Sequence, residues 1–216
     1  MSATFPRRRR PPAPTSRPGA GVSPCPTAPT SEAHRAPFGV DIAGVVPHRG
    51  MRVSKADAGL HRTAMATAFN AGWELLEKKR RTSEEERRML DMAHASRYHA
   101  AVTGTPSNHA IGDWQIARVY AALGEPGLSL RYAMASLAIC RRHRLHELMG
   151  SALEGMARAY SVGGRPALAT YYLQRARHHV ERARLDAADR EIFLGQIADT
   201  EQRIRQGPRR VRRKNG

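Results

Sequence analysis

The chain has 216 residues, 41% of them hydrophobic, a mean hydropathy of −0.55 and a formal net charge of +17. That length allows one domain of ordinary size with flanking segments. No apolar run reaches the roughly 20 residues of a membrane-spanning helix, and two cysteines, Cys25 and Cys140, make no disulfide framework, so a reducing, cytoplasmic setting is expected.

The charge sits at the ends. Nine basic residues and two acids (Glu32, Asp41) precede Ala56, and Arg203, Arg205, Arg209, Arg210, Arg212, Arg213 and Lys214 close the chain with no acid among them. Each end therefore carries +7 and leaves +3 for the centre. Residues 1–56 are rich in Pro and Arg and poor in large apolar side chains, a composition that cannot offset its own ordering entropy, so the segment reads as disordered. Pro11 and Pro14 make a PxxP beside Arg10, the pattern of a polyproline ligand or a plain linker. Met51 stands just before the first helical pattern and is an alternative translation start. The N-terminal arginines have no apolar stretch behind them, so a secretory signal is not expected.

Residues 57–202 read as helical throughout, and 203–216 as a basic tail. Phe69, Trp73 and Leu76 form an i, i+4, i+7 stripe on a first helix from about Ala58 to the Lys78-Lys79-Arg80 run. Ser83 with Glu86 makes a capping box for a second helix, which carries Leu90 and Ala93 inward and ends near Val102. Gly104-Thr105-Pro106 breaks the chain, and Ser107 or Asn108 can cap a third helix that buries Ala110, Ala117 and Tyr120. Pro126 opens a fourth, with Leu130, Ala133 and Leu137 inward, and a fifth starts near Leu145. Pro166 opens a sixth, with Leu168, Tyr172, Ala176, His179 and Val180 inward. Asp186 caps a seventh that turns Phe193, Ile197 and Ile204 to the core. No segment alternates like a strand, so the fold class is all-α.

Within this pattern one sentence of sequence occurs twice. Ala117-Arg118, Tyr120, Gly124 and Pro126 recur as Ala157-Arg158, Tyr160, Gly164 and Pro166, all at an offset of 40. A constant offset over helix, turn and helix marks stacked helical hairpins, which present surfaces to partners more than they perform chemistry.

The hairpins resemble tetratricopeptide repeats, whose usual period is about 34 residues. With Tyr120 on the tyrosine of that motif, Ile116 and Ala117 take its Leu-Gly positions, Gly124 its turn glycine, Ser129 a small packing position and Ser136-Leu137 its Ala-Leu pair. Met156, Ala157, Tyr160, Gly164, Ala169 and Ala176 match in the second copy, and a degenerate earlier hairpin spans Asn70 to Ala101. Asp113 and Leu153 stand at the motif's tryptophan position, and the link from Arg141 to Glu147 can hold the longer period. The stretch His94-Ala95-Ser96-Arg97-Tyr98-His99, with Gly104-Thr105-Pro106, Asn108, Gly112 and Trp114 after it, is similar to an uncharacterised bacterial family of tetratricopeptide-like proteins, with Ala100 where that family has an aromatic. The resemblance implies a short solenoid of about seven helices. It also implies a concave groove lined by the first helix of each hairpin. By that correspondence Asn70, Glu74, Tyr98, Ile111, Trp114, Arg118, Glu154 and Arg158 fall on the groove.

Arg118 and Arg158 are then equivalent residues on neighbouring helices, able to clamp a carboxylate or phosphate by forked hydrogen bonds or to pair with local acids such as Glu154. His94 and His99 are five residues apart, roughly 140° around a helix, so they do not form the i, i+4 pair of a zinc site; His94 instead falls at i, i+4 with Tyr98. No P-loop, GxSxG or paired CxxC is present, so neither catalysis, nor a cofactor, nor a metal is expected. The function expected is protein–protein interaction, with a peptide or partner helix in the groove. One alternative is non-specific nucleic-acid binding through the basic ends, above all Arg209, Arg210, Arg212, Arg213 and Lys214. A weaker one is a small-molecule sensor or enzyme using the groove. Self-association through a terminal hairpin is a further expectation of a short repeat stack.

Overall fold

In the computed structural model, the described residues are 54–207. They form seven α-helices: α1 (Lys55–Glu77), α2 (Ser83–Thr103), α3 (Pro106–Ala122), α4 (Pro126–His143), α5 (Met149–Val162), α6 (Pro166–Arg182) and α7 (Ala187–Gln206), with a 3-10 turn at His146–Leu148 leading into α5. Among the described residues there is no strand, and no helix is long and apolar enough to cross a membrane. The helices pack as sequential pairs, α1 on α2, α3 on α4 and α5 on α6; α5 also meets α3 and α4, and α7 lies against α5 and α6. Helix α7 continues past residue 202, so Arg203 and Arg205 stand on a helix and pair with Asp199 and Glu201 rather than opening a tail.

Two caps differ from the sequence reading by one to three residues. Thr82, not Ser83, caps α2: its hydroxyl accepts from the Glu85 N–H while the Glu85 carboxylate accepts from the Thr82 N–H. Both Thr82-Glu85 and Ser83-Glu86 fit the capping-box spacing, and with the earlier pair as the cap Glu84, Glu85 and Glu86 stand in the first turn, against the positive end of the helix dipole. Similarly, Thr105 caps α3 in a reciprocal pair with Asn108, and Pro106 sits at the first helical position, where its missing N–H removes nothing. The side chain of Arg81 closes the end of α1 by donating to the carbonyls of Leu75, Leu76 and Lys78.

The 40-residue offset is a repeat of physical structure. Helices α3 and α5 end in the same turn: the N–H of Glu125 donates to the Tyr120 carbonyl and that of Arg165 to the Tyr160 carbonyl, both at 2.9 Å, with Gly124 at φ 81° and Gly164 at φ 69°. This is the Schellman ending, which needs a left-handed residue that glycine supplies without strain. Each repeat tyrosine then stacks on a tyrosine of the next helix, Tyr120 on Tyr132 (5.7 Å) and Tyr160 on Tyr172 (5.3 Å). Helix α4 ends with Arg144 in the left-handed position, at φ 56°.

The core holds Ala110, Ala117, Leu137, Leu153, Met156, Leu173, Val180 and Ile197, and Met89, Ile116 and Val119 lie in a second cluster under α1 and α2. Cys140 is buried in the first of these clusters, and burial pushes its thiol up to about 11, so it packs as an apolar side chain. The structure departs from the sequence reading at three places. Leu168 is 39% exposed and Leu173 takes the core position on α6. On α1, Phe69 and Trp73 are only half-buried; Ala68, Gly72 and Leu75 face the core. His94 bonds the Tyr120 hydroxyl at 3.3 Å and packs edge-on against Tyr120 and Tyr132, not against Tyr98.

Candidate functional site

Helices α3 and α5 approach closely because Gly155 stands where they meet: a Cβ there would lie 3.2 Å from the Trp114 ring and 3.3 Å from Ala133. At that crossing the two repeat arginines face one carboxylate. Glu154, 1% exposed, accepts from Arg118 at 3.0 Å, from Arg158 Nε at 3.0 Å, from the Trp114 indole N–H at 3.1 Å and from the Thr200 hydroxyl. Arg158 donates through Nη2 to Asp199 and Thr200 of α7, both at 2.6 Å, and Arg118 lies 3.5 Å from Asp199. The guanidinium of Arg118 also rests over the rings of Trp73 and Trp114, 5.2 and 5.3 Å from their centroids.

The electrostatics follow from this packing. Burial alone would raise the Glu154 carboxyl, but Arg118 and Arg158, then the Thr200 and Trp114 hydrogen bonds, outweigh it and hold it below the usual carboxylate range. Asp199 is lowered in the same way, burial opposing and Arg158 prevailing. Burial brings Arg118 down to about 10 against the pull of Glu154, while Arg158, burial opposing, is held up by Glu154 and Asp199. At neutral pH all four groups are charged and the cluster sums to zero. The arginine pair is thus occupied within the chain, by Glu154 from its own repeat and by Asp199 from α7.

Beside the cluster lies a cavity of about 360 Å³. Phe69, Asn70 and Trp73 of α1, Ile111 and Trp114 of α3, Ser136 of α4, Ser151 of α5, and Asp189, Ile192, Phe193 and Gln196 of α7 line it. The aromatic stripe read from α1 therefore faces this space and not the core.

Of the residues expected on a groove, Asn70, Ile111 and Trp114 meet at the cavity, and Trp114, Arg118, Glu154 and Arg158 meet in the charge cluster. Glu74 is exposed on α1. Tyr98, 57% exposed on α2, belongs to a different cluster, with His61 and His99, whose Nδ1 atoms lie 2.8 Å apart. Asp113, at the motif's tryptophan position, is buried and bonds Arg97 at 2.7 Å, tying α3 to α2. Arg209, Arg210, Arg212, Arg213 and Lys214, the PxxP, Cys25 and Met51 lie outside the described residues. Among the described residues no three His, Cys, Asp or Glu side chains gather as a metal-ligand set. Asp199, Thr200 and the α7 wall of the cavity went unnoticed in the sequence, since α7 carries no copy of the repeat.

Comparison with family models, with curated proteins and with solved structures finds no match.

Proposed function

We propose that this chain is a non-catalytic, tetratricopeptide-like interaction module whose concave face takes an amphipathic helix bearing an acidic side chain. The observation behind this reading is α7 itself. It is a helix seated on α5 and α6 that offers Asp199 to the repeat arginines, yet it buries only Ile197 and Thr200 of its 20 residues. Phe193, Leu194 and Ile204 are only partly buried against the core beside them, so a longer or more apolar partner helix can replace α7. The partner's carboxylate would take the position of Asp199, with the charge-assisted hydrogen bond from Arg158 Nη2 as the selective element.

The test uses a fluorescein-labelled peptide of residues 184–207 added to the full chain carrying Asp199→Asn, which loosens the resident helix. Anisotropy should rise to saturation, and the same peptide with Asp199→Asn should bind at least about five-fold more weakly, the loss of one charge-assisted hydrogen bond. No saturable binding, or equal binding by both peptides, refutes the reading.

A further inference from the structure

The cavity beside the charge cluster, with α7 seated as one of its walls, has the makings of a small-molecule site. Its volume, about 360 Å³, lies within the range of roughly 300–1,000 Å³ that holds small ligands. Its walls are mainly aromatic and aliphatic, and Ile192 on its rim is 56% exposed, an apolar side chain with nothing over it. Two polar atoms on the same walls have no partner. The hydroxyl oxygen of Ser151, a residue 7% exposed on α5, and the buried Oε1 of Gln196 on α7 each lack a hydrogen bond. Buried polar atoms are nearly always paired, so two orphans contributed to one cavity by different helices ask for a ligand that bonds both.

The surrounding chemistry narrows the class. Gln196 Oε1 only accepts, so the ligand must bring an N–H or O–H; the serine hydroxyl can serve either partner. An anion would meet Asp189 on the rim. A cation would meet Arg118, which already lies over both indoles. Flat aromatic walls at Phe69, Trp73, Trp114 and Phe193 suit a flat ring. We propose that the cavity between α1, α3, α5 and α7 binds a neutral, planar, largely apolar molecule with a hydrogen-bond donor, of the hydroxyarene or lactam class, anchored by Ser151 and Gln196.

Both tryptophans of the chain, Trp73 and Trp114, stand on the cavity wall, so their emission reports occupancy directly. The full chain is titrated with 4-bromophenol, whose bromine quenches tryptophan only near contact, and with 4-bromoanisole, which has nearly the same shape and no donor. 4-Bromophenol should quench saturably with one site by calorimetry, and 4-bromoanisole should bind at least about ten-fold more weakly. Ser151→Ala, which removes a hydroxyl that bonds nothing in the chain, should weaken 4-bromophenol several-fold and leave 4-bromoanisole unchanged. Ile111→Trp, checked for folding by circular dichroism, should fill the space and abolish quenching by both. Absence of saturable quenching, equal affinity for the two probes, or a Ser151→Ala protein that binds 4-bromophenol as before overturns the proposal.

Discussion

Glu154→Gln isolates the charge at the centre of the cluster while keeping the side chain's size. The variant retains one acceptor oxygen, but the two guanidiniums lose their common negative charge. Arg158 keeps Asp199 and Thr200, both at 2.6 Å, and so remains paired. Arg118 does not: its side chain is 11% exposed, and without Glu154 its remaining acid is Asp199, at 3.5 Å and itself half in solvent. Breaking a buried pair by removing one partner costs about 3–5 kcal/mol, and because one of the two arginines stays paired, the low end, about 3 kcal/mol, is expected. In a chain of this size each kcal/mol moves the unfolding midpoint by about 2–4 °C, so Tm should fall by about 6–12 °C. Urea unfolding followed at 222 nm should show a lower midpoint with an unchanged slope, since the same surface is exposed. The triple change Arg118→Met, Glu154→Met, Arg158→Met should cost less than Glu154→Gln alone, because it removes the charges together and strands none. A loss below about 1 kcal/mol for Glu154→Gln, or a triple variant worse than the single one, would refute the claim that the cluster works through paired buried charge.

The pH dependence follows from the same groups. Glu154 and Asp199 are held below their ordinary values of 4.5 and 3.8, so the stability they contribute is complete above those values and is lost as pH falls through the lowered ones. Thermal unfolding from pH 7 to 2.5 should therefore show a plateau and then an acid decline, with a shallower decline in Glu154→Gln. Gly124→Ala, at φ 81°, should destabilise by about 1 kcal/mol, whereas Arg144→Gly, at φ 56°, should be neutral or stabilise by up to about 1 kcal/mol; chemical denaturation distinguishes the signs. Gly150→Ala would put a Cβ 2.5 Å from Val180 Cγ2 and should cost about 1–3 kcal/mol, largely recovered in the double variant with Val180→Ala.

The repeat is what the sequence carried most openly. Tyr120, Gly124 and Pro126 against Tyr160, Gly164 and Pro166 point to one turn used twice, because a Schellman ending demands a left-handed residue at one position and tolerates proline soon after. The equivalence of Arg118 and Arg158 was legible for the same reason. What those arginines hold was only half legible. Glu154 lies one turn before Arg158 and suggests itself, but Asp199 is 41 residues further on, on a helix outside the repeat. The cavity was hidden for a deeper reason: its walls come from five helices, and an i, i+4 aromatic pair such as Phe69 and Trp73 has the same spacing whether it faces a core or an open space. Capping boxes were misplaced where neighbouring positions satisfied the pattern equally, as with Thr82 and Ser83.

The composition of the core explains why such a polar cluster belongs at the α3–α5–α7 junction. Among the described residues, 12 of the 24 buried hydrophobic side chains are alanine. Alanine lets helices approach closely, but it offers little shape for one helix to lock against another, so an alanine-rich interface fixes distance better than it fixes register. Directional contacts supply what shape does not. A one-turn slide of α7 along α5 would move Asp199 and Thr200 about 5.4 Å from Arg158 and break both hydrogen bonds. The cluster thus sets where α7 sits more than how strongly it is held. It thereby also sets where Phe193 and Gln196, two turns or less before Thr200, meet the cavity wall. Charge register and cavity shape are one property of this fold, and a change that frees Asp199 should alter both together.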